Sequence, residues 1–169
     1  TTIPGYIEPG EIEIDKFIVN YDSDNEKLYS RDNGFNADSL ISGPATFEVL
    51  NEDGPAATLY YKNILGQYDT LKDGGVETNV VTIDPAQGNS HINSNEGNIS
   101  FYLKAGTYKI REKITVPNQP SNTKPLGGAE KTITVNKGGK AVAKFRNKEQ
   151  LGQIKIHKTD DSNNALPTS

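Results

Sequence analysis

The sequence predicts an all-β sandwich. Short stretches alternate apolar with polar residues, turn clusters drawn from the 16 glycines, 9 prolines and many Asn and Asp residues separate them, and no segment sustains a helical period. One or two short helices are the most that is expected, in the poorly patterned 55–75 region. With 169 residues and 33% hydrophobic content, the chain suffices for one sizeable core and a fragment of a second unit.

In order, residues 1–9, with Pro4, Gly5 and Pro9, read as an N-terminal linker. Glu11 to Val19 alternates cleanly, which places Ile12, Ile14 and Ile18 on one face, and Lys16 on that same face. Residues 20–42 are polar and read as a long loop. Ala45 to Leu50 is a strand closed by the turn Asn51-Glu52-Asp53-Gly54. Thr58 to Ile64 and Val76 to Ile83 are further strands, with Gly66 and Asp73-Gly74-Gly75 between them.

Pro85 to Gly97 is a loop, and Asn98 to Leu103 a strand. Gly106 to Val116 is the strand on which the rest is organised, with Tyr108, Ile110, Ile114 and Val116 on its buried face. Glu112 belongs to that face. Pro117 to Pro125 reads as a Pro-rich connection, Lys131 to Val135 as a strand, Asn136 to Gly139 as a turn. On the last strand, Ala141 to Asn147, Phe145 marks the core side, and Asn147 shares it.

The pattern G-x-I-x-I-x-K occurs twice, as Gly10 to Lys16 and as Gly152 to Lys158. Residues 10–150 are therefore expected to form one unit, and 151–169 the first strand of a following, truncated one.

Several function classes are excluded. Net charge is −4 with pI near 5.2, and the 18 Lys and Arg residues are dispersed, so nucleic acid is not an expected partner. No apolar run approaches the roughly 18 residues that span a bilayer, and no membrane contact by this segment is expected. The absence of Cys removes thiolate catalysis, Cys-based metal sites and disulfides, and the absence of Met points to a mature or excised segment. Neither His91 nor His157 lies in a nucleophile motif. Asp22, Asp24 and Glu26 alternate as in a calcium loop but lack the Gly and downstream Glu of an EF-hand, so a solvated loop is preferred and no cofactor is expected. A glycosidase would need a second carboxylic acid, which the strand pattern does not supply.

Lys16, Glu112 and Asn147 thus stand on predicted core faces. Buried charges persist when paired, so a Lys–Glu ion pair with a hydrogen-bonded Asn is one reading of them.

A second reading comes from resemblance. The chain resembles Cna-B-type domains of Gram-positive surface adhesins and pilins through I-x-I-x-K at Ile12 to Lys16, G-x-A-x-F-x-V at Gly43 to Val49, E-G-N-I-x-F at Glu96 to Phe101, A-G-T-Y-x-I-x-E at Ala105 to Glu112, and F-x-N at Phe145 to Asn147. It departs from them in a longer Val116 to Gly128 segment without the usual Pro-Gly-Tyr, and in longer 20–42 and 66–97 stretches. The resemblance implies a prealbumin-like (inverse Ig-like) β-sandwich. It also implies an intramolecular isopeptide bond from Lys16 Nζ to Asn147 Cγ, with Glu112 as catalytic acid and proton shuttle.

That chemistry is coherent with burial, which favours the unprotonated amine an amide-forming attack requires, and with the proximity that folding imposes. The reaction happens once per molecule, so it is self-processing and not enzymatic turnover. Lys158 would be the bond-forming lysine of the next unit, its partners lying outside this chain.

The resemblance further implies a stalk or shaft domain on the extracellular bacterial surface, anchored to the cell wall through a region beyond this sequence. Adjacent Cna-B-type domains are its implied partners, with pilin subunits or a host ligand as further ones. Tyr60-Tyr61-Lys62-Asn63 is similar to the pilin-polymerising Tyr-Pro-Lys-Asn motif but lacks the Pro and reads as ordinary strand; Leu166-Pro167-Thr168-Ser169 lacks the remainder of a sorting signal. The alternative is a ligand-binding adhesin module using the long loops, with an unreacted Lys–Glu pair. A stalk should tolerate replacement of 20–42 and 66–97, whereas a binding module should lose its ligand.

Overall fold

The computed structural model describes residues 8–114 and 119–150. Its strands are β1 (Gly10–Val19), β2 (Glu26–Leu28), β3 (Ala45–Asn51), β4 (Tyr60–Lys62), β5 (Tyr68–Thr70), β6 (Lys72–Asp73), β7 (Val76–Glu77), β8 (Val80–Ile83), β9 (Asn93–Ser94), β10 (Asn98–Leu103), β11 (Gly106–Glu112), β12 (Thr123–Leu126), β13 (Glu130–Val135) and β14 (Lys140–Glu149). They form a seven-stranded sheet in the order β12-β14-β1-β10-β4-β5, with β2 added to β1, a five-stranded sheet in the order β13-β11-β3-β8-β9, and a small ribbon β6-β7. The expected all-β sandwich is present.

Alternation in the sequence becomes the two inner faces. Ile12, Ile14, Ile18, Ile99, Phe101, Leu103, Ala143 and Phe145 line the larger sheet, and Phe47, Val49, Val81, Ile83, Tyr108 and Ile110 the smaller. Each Val, Ile, Leu or Phe side chain among them contributes about 1.5–3 kcal/mol when fully removed from water. Phe47 and Phe145 meet across the sandwich, with ring centroids 4.9 Å apart.

The first and last strands lie side by side. β1 runs antiparallel to β10 and parallel to β14, so it is interior to its sheet and hydrogen-bonded on both edges. Gly10 permits this closure, because a Cβ there would collide with Val135 Cγ1 and the Asn136 carbonyl.

Several sequence expectations require correction. The strand expected over 106–116 stops at Glu112, Ile114 is 38% exposed, and Val116 lies outside the described residues. Its neighbour β13 begins at Glu130, opposite Arg111, so on that edge no strand is left for Ile114 to pair with. The 55–75 region holds β4, β5 and β6 and no helix, because Gly66 and Gly74–Gly75, all at positive φ, fold it into hairpins. The helical element among the described residues is a single 3-10 turn, Arg31–Asn33, capped by Ser30 and Gly34. The supposed loop 20–42 also contains β2, and the connection before Pro125 contains the start of β12.

Candidate functional site

β1 changes partners at Lys16. Up to Asp15 it pairs with β10, and from Phe17 onward with β2. At the switch, the Lys16 amide donates to the Gly97 carbonyl (2.8 Å) and the Tyr29 amide donates to the Lys16 carbonyl (2.9 Å). Gly97 has φ +83°, and a Cβ there would press on Leu28. Tyr29 is fully buried and its hydroxyl donates to the Gly43 carbonyl at 2.7 Å. Arg31 reaches back to the Pro85 and Gln87 carbonyls at 3.0 Å each. The polar segment 20–42 therefore packs around the lysine and fixes its backbone, which its composition did not reveal.

Alternation brings the three polar side chains inward. Lys16 and Asn147 are 0% exposed and Glu112 is 3% exposed. Lys16 lies opposite Phe145 on β14, and Asn147 opposite Ile18, two positions further along the same face. Glu112 comes from the other sheet, opposite Phe47. Phe145 and Phe47, the register partners of Lys16 and Glu112, are the rings that meet across the sandwich.

The Lys16 amine donates to Glu112 Oε2 and, at 2.5 Å, to Asn147 Oδ1. Burial draws the lysine below its usual range, and the adjacent Glu112 carboxylate offsets part of that. Glu112 is aimed at the amine, and the carboxamide oxygen is taken by Lys16. The other end of the carboxamide is held by a residue absent from the sequence expectations: Asn147 Nδ2 donates to Thr123 Oγ1 at 2.9 Å. Thr123 lies in the stretch read as a connection, so its inward position had no periodic signal to reveal it.

The arrangement places an amine against a carboxamide, with a carboxyl group touching the amine, all three buried from solvent. Amide exchange with release of ammonia is the chemistry that these three groups can perform together.

Other candidates lie elsewhere. Glu26 is ion-paired with Lys144 and with Arg146 (2.9 Å), so its carboxylate faces β14 and is not grouped with Asp22 and Asp24 around a cation. No group of three or more His, Cys, Asp or Glu among the described residues could hold a metal. No helix among the described residues is long and apolar enough to cross a membrane. Lys158, and with it the second copy of the repeat, lies outside the described residues.

Neither the protein-family models nor the curated proteins compared with this sequence match it. Solved structures do. The minor pilin GBS52 of Streptococcus agalactiae superposes with a TM-score of 0.52 at 19% identity, over 96% of this chain and 49% of that one. The Bacillus anthracis TIE protein (TM-score 0.42, 19% identity, 84% of this chain, 17% of that one) and a streptococcal ancillary pilin (0.39, 19%, 85% and 30%) are also similar. The chain thus shares its fold with a Gram-positive minor pilin and spans about half that pilin's length.

Proposed function

We propose that this chain is a Cna-B-type stalk domain of a Gram-positive surface protein, cross-linked by a self-formed Lys16–Asn147 isopeptide bond with Glu112 as its acid and proton shuttle. The observation that carries the reading is the trio itself: amine, carboxamide and carboxyl are all buried and in contact, between the first and last strands. A mere ion pair needs no carboxamide against the lysine. The shared pilin fold supports the surface role.

Topology supports the mechanical role. β1 and β14 are parallel neighbours, so the chain enters at one end of the pair and leaves at the other. A bond from Lys16 to Asn147 would confine tension to residues 10–16 and 147–149 and spare everything between. Closing so long a loop, treated like a disulfide, stabilises by about 5 kcal/mol.

Intact-mass spectrometry tests the reading. The folded chain should be lighter than its sequence by one ammonia, with a cross-linked Lys16–Asn147 peptide, and the deficit should vanish in Lys16→Ala or Glu112→Ala. An unmodified mass in folded protein would return the trio to an ion pair. The loop-replacement test for a ligand-binding module needs narrowing, because Tyr29 and Gly97 hold Lys16; 20–25 and the exposed β6–β7 ribbon, 72–77, are stretches that can be exchanged without touching that support.

A further inference from the structure

We propose that Thr123 is a positioning residue for the cross-linking reaction, its hydroxyl holding the Asn147 carboxamide with the oxygen toward Lys16 and the departing nitrogen away from it. This rests on the isopeptide reading above.

A carboxamide has nearly the same shape in either of its two flipped orientations, so in a closed pocket hydrogen bonds decide which end faces the lysine. Thr123 is 4% exposed, and its hydroxyl proton is committed to the Pro120 carbonyl at 2.8 Å. Its oxygen therefore faces Asn147 as an acceptor, and Nδ2 donates to it at 2.9 Å. At the other end the lysine offers donors, and Oδ1 accepts. Flipping the carboxamide would set oxygen against oxygen at Thr123 and nitrogen against nitrogen at Lys16. Both buried bonds would be lost together.

The surrounding turn is built to hold this hydroxyl. Asn122 adopts φ +59°, the one non-glycine residue at positive φ among those described. Ser121 is pinned by its amide to the Ser42 carbonyl (2.8 Å) and by its hydroxyl to the Leu40 carbonyl (3.1 Å). Beyond the turn, β12 pairs with β14, with Pro125 opposite Asn147.

The orientation matters because the two ends of the carboxamide have different fates. Lys16 passes one proton to Glu112, and the freed Nζ pair forms a bond to Cγ while the carbonyl π pair moves onto Oδ1. When that pair returns, the Cγ–Nδ2 bond breaks, Nδ2 takes the proton carried by Glu112, and ammonia leaves. The second proton lost from Nζ goes to Glu112. The products are a secondary amide, ammonia and a protonated Glu112, so atoms and charge balance. Thr123 exchanges no proton in this sequence; it fixes where the carbonyl oxygen and the departing nitrogen lie relative to the attacking amine.

The test uses the full chain made by cell-free synthesis, quenched in acid at intervals and read by intact mass, with extents referred to the protease-resistant folded fraction. Thr123→Val, which keeps the shape and removes the hydroxyl, should slow ammonia loss about tenfold or more, and Thr123→Ser should restore it. Ammonia loss at the wild-type rate in Thr123→Val, or a Thr123→Ser as slow as Thr123→Val, overturns the proposal. A wild-type chain that never loses ammonia overturns the isopeptide reading instead. Should Thr123→Val yield no folded fraction, hydrogen exchange of the Asn147 side-chain amide in the unreacted Glu112→Gln chain gives the second reading. Adding Thr123→Ser should leave that exchange slow and adding Thr123→Ala should speed it tenfold or more; equal exchange in the two overturns the proposal.

Discussion

Lys16 and Asn147 lie on adjacent parallel strands, two register positions apart and on the same inward face, so the lysine stem runs along its own strand to reach the carboxamide. Parallel pairing of the first and last strands makes this contact a property of the finished fold. No local segment can form it, since 131 positions separate the residues.

Replacing Lys16 by Met keeps the stem's volume and removes the amine. The loss of the cross-link should lower unfolding stability by about 5 kcal/mol. Glu112, still buried, then lacks its cation and adds a penalty of a few kcal/mol. Urea unfolding should show a midpoint far below wild type, and a midpoint within error of wild type would mean that no bond had closed the loop.

Pulling on the two ends of the domain gives a different readout. With the bond in place, single-molecule extension should show no release of the chain between residues 16 and 147 at any force that leaves covalent bonds intact. Lys16→Met should unfold with the full contour length. Release in the wild type at ordinary unfolding forces would remove the stalk reading.

Much of this was legible because strand parity is strict. The alternation over Glu11 to Val19 put Lys16 with Ile12, Ile14 and Ile18, and all four are buried. The same rule placed Glu112 with Tyr108 and Ile110, and Asn147 with Phe145. What stayed hidden has no period to read. β2 and β12 are three and four residues long, each added to the edge of a ten-residue strand, and β9 is only two. Tyr29 matters to the site through its backbone amide and Thr123 through its hydroxyl, and a Tyr or Thr in a polar stretch carries no mark of either contact. Ile114 was misplaced for the complementary reason: its alternation continues beyond Arg111, the last residue of β11 paired with a strand on both edges.

The support around Lys16 separates two kinds of change. Tyr29→Phe deletes the hydroxyl that donates to the Gly43 carbonyl but leaves the Tyr29 amide on Lys16. It should lower stability by about 1–1.5 kcal/mol with an unchanged denaturant slope and full cross-linking. Gly97→Ala instead strains a positive φ and drives a methyl into Leu28 beside the lysine, so it should reduce the cross-linked fraction as well. Mass spectrometry and urea titration of the two variants distinguish these effects; equal cross-linking in both would show that the backbone clamp on Lys16 is dispensable.

On the outward face of β1, Asp15 stands between Asn98 of β10 and Lys144 of β14 and interacts with Glu13, while its Oδ1 is buried without a hydrogen-bond partner. Burial, reinforced by Glu13 and partly offset by Lys140 and Lys144, pushes its carboxyl up to about 7; Glu13, held mainly by its bond to Asp15 and also by Lys140, lies below the usual range. For Asp15 the folded state binds its proton more tightly than the unfolded chain, so its contribution is fully present below pH 3.8 and is lost as pH rises through about 7. Asp15→Asn removes the carboxylate and keeps the size. It should therefore raise stability at pH 8 by about 1 kcal/mol, a figure already reduced for solvent screening at this half-buried position, and the gain should shrink to nothing near pH 4. Thermal melts of both proteins across that range check the sign: a gain that grows toward acid, or none at pH 8, would show that the Asp15 carboxylate is comfortably solvated or paired in the folded domain.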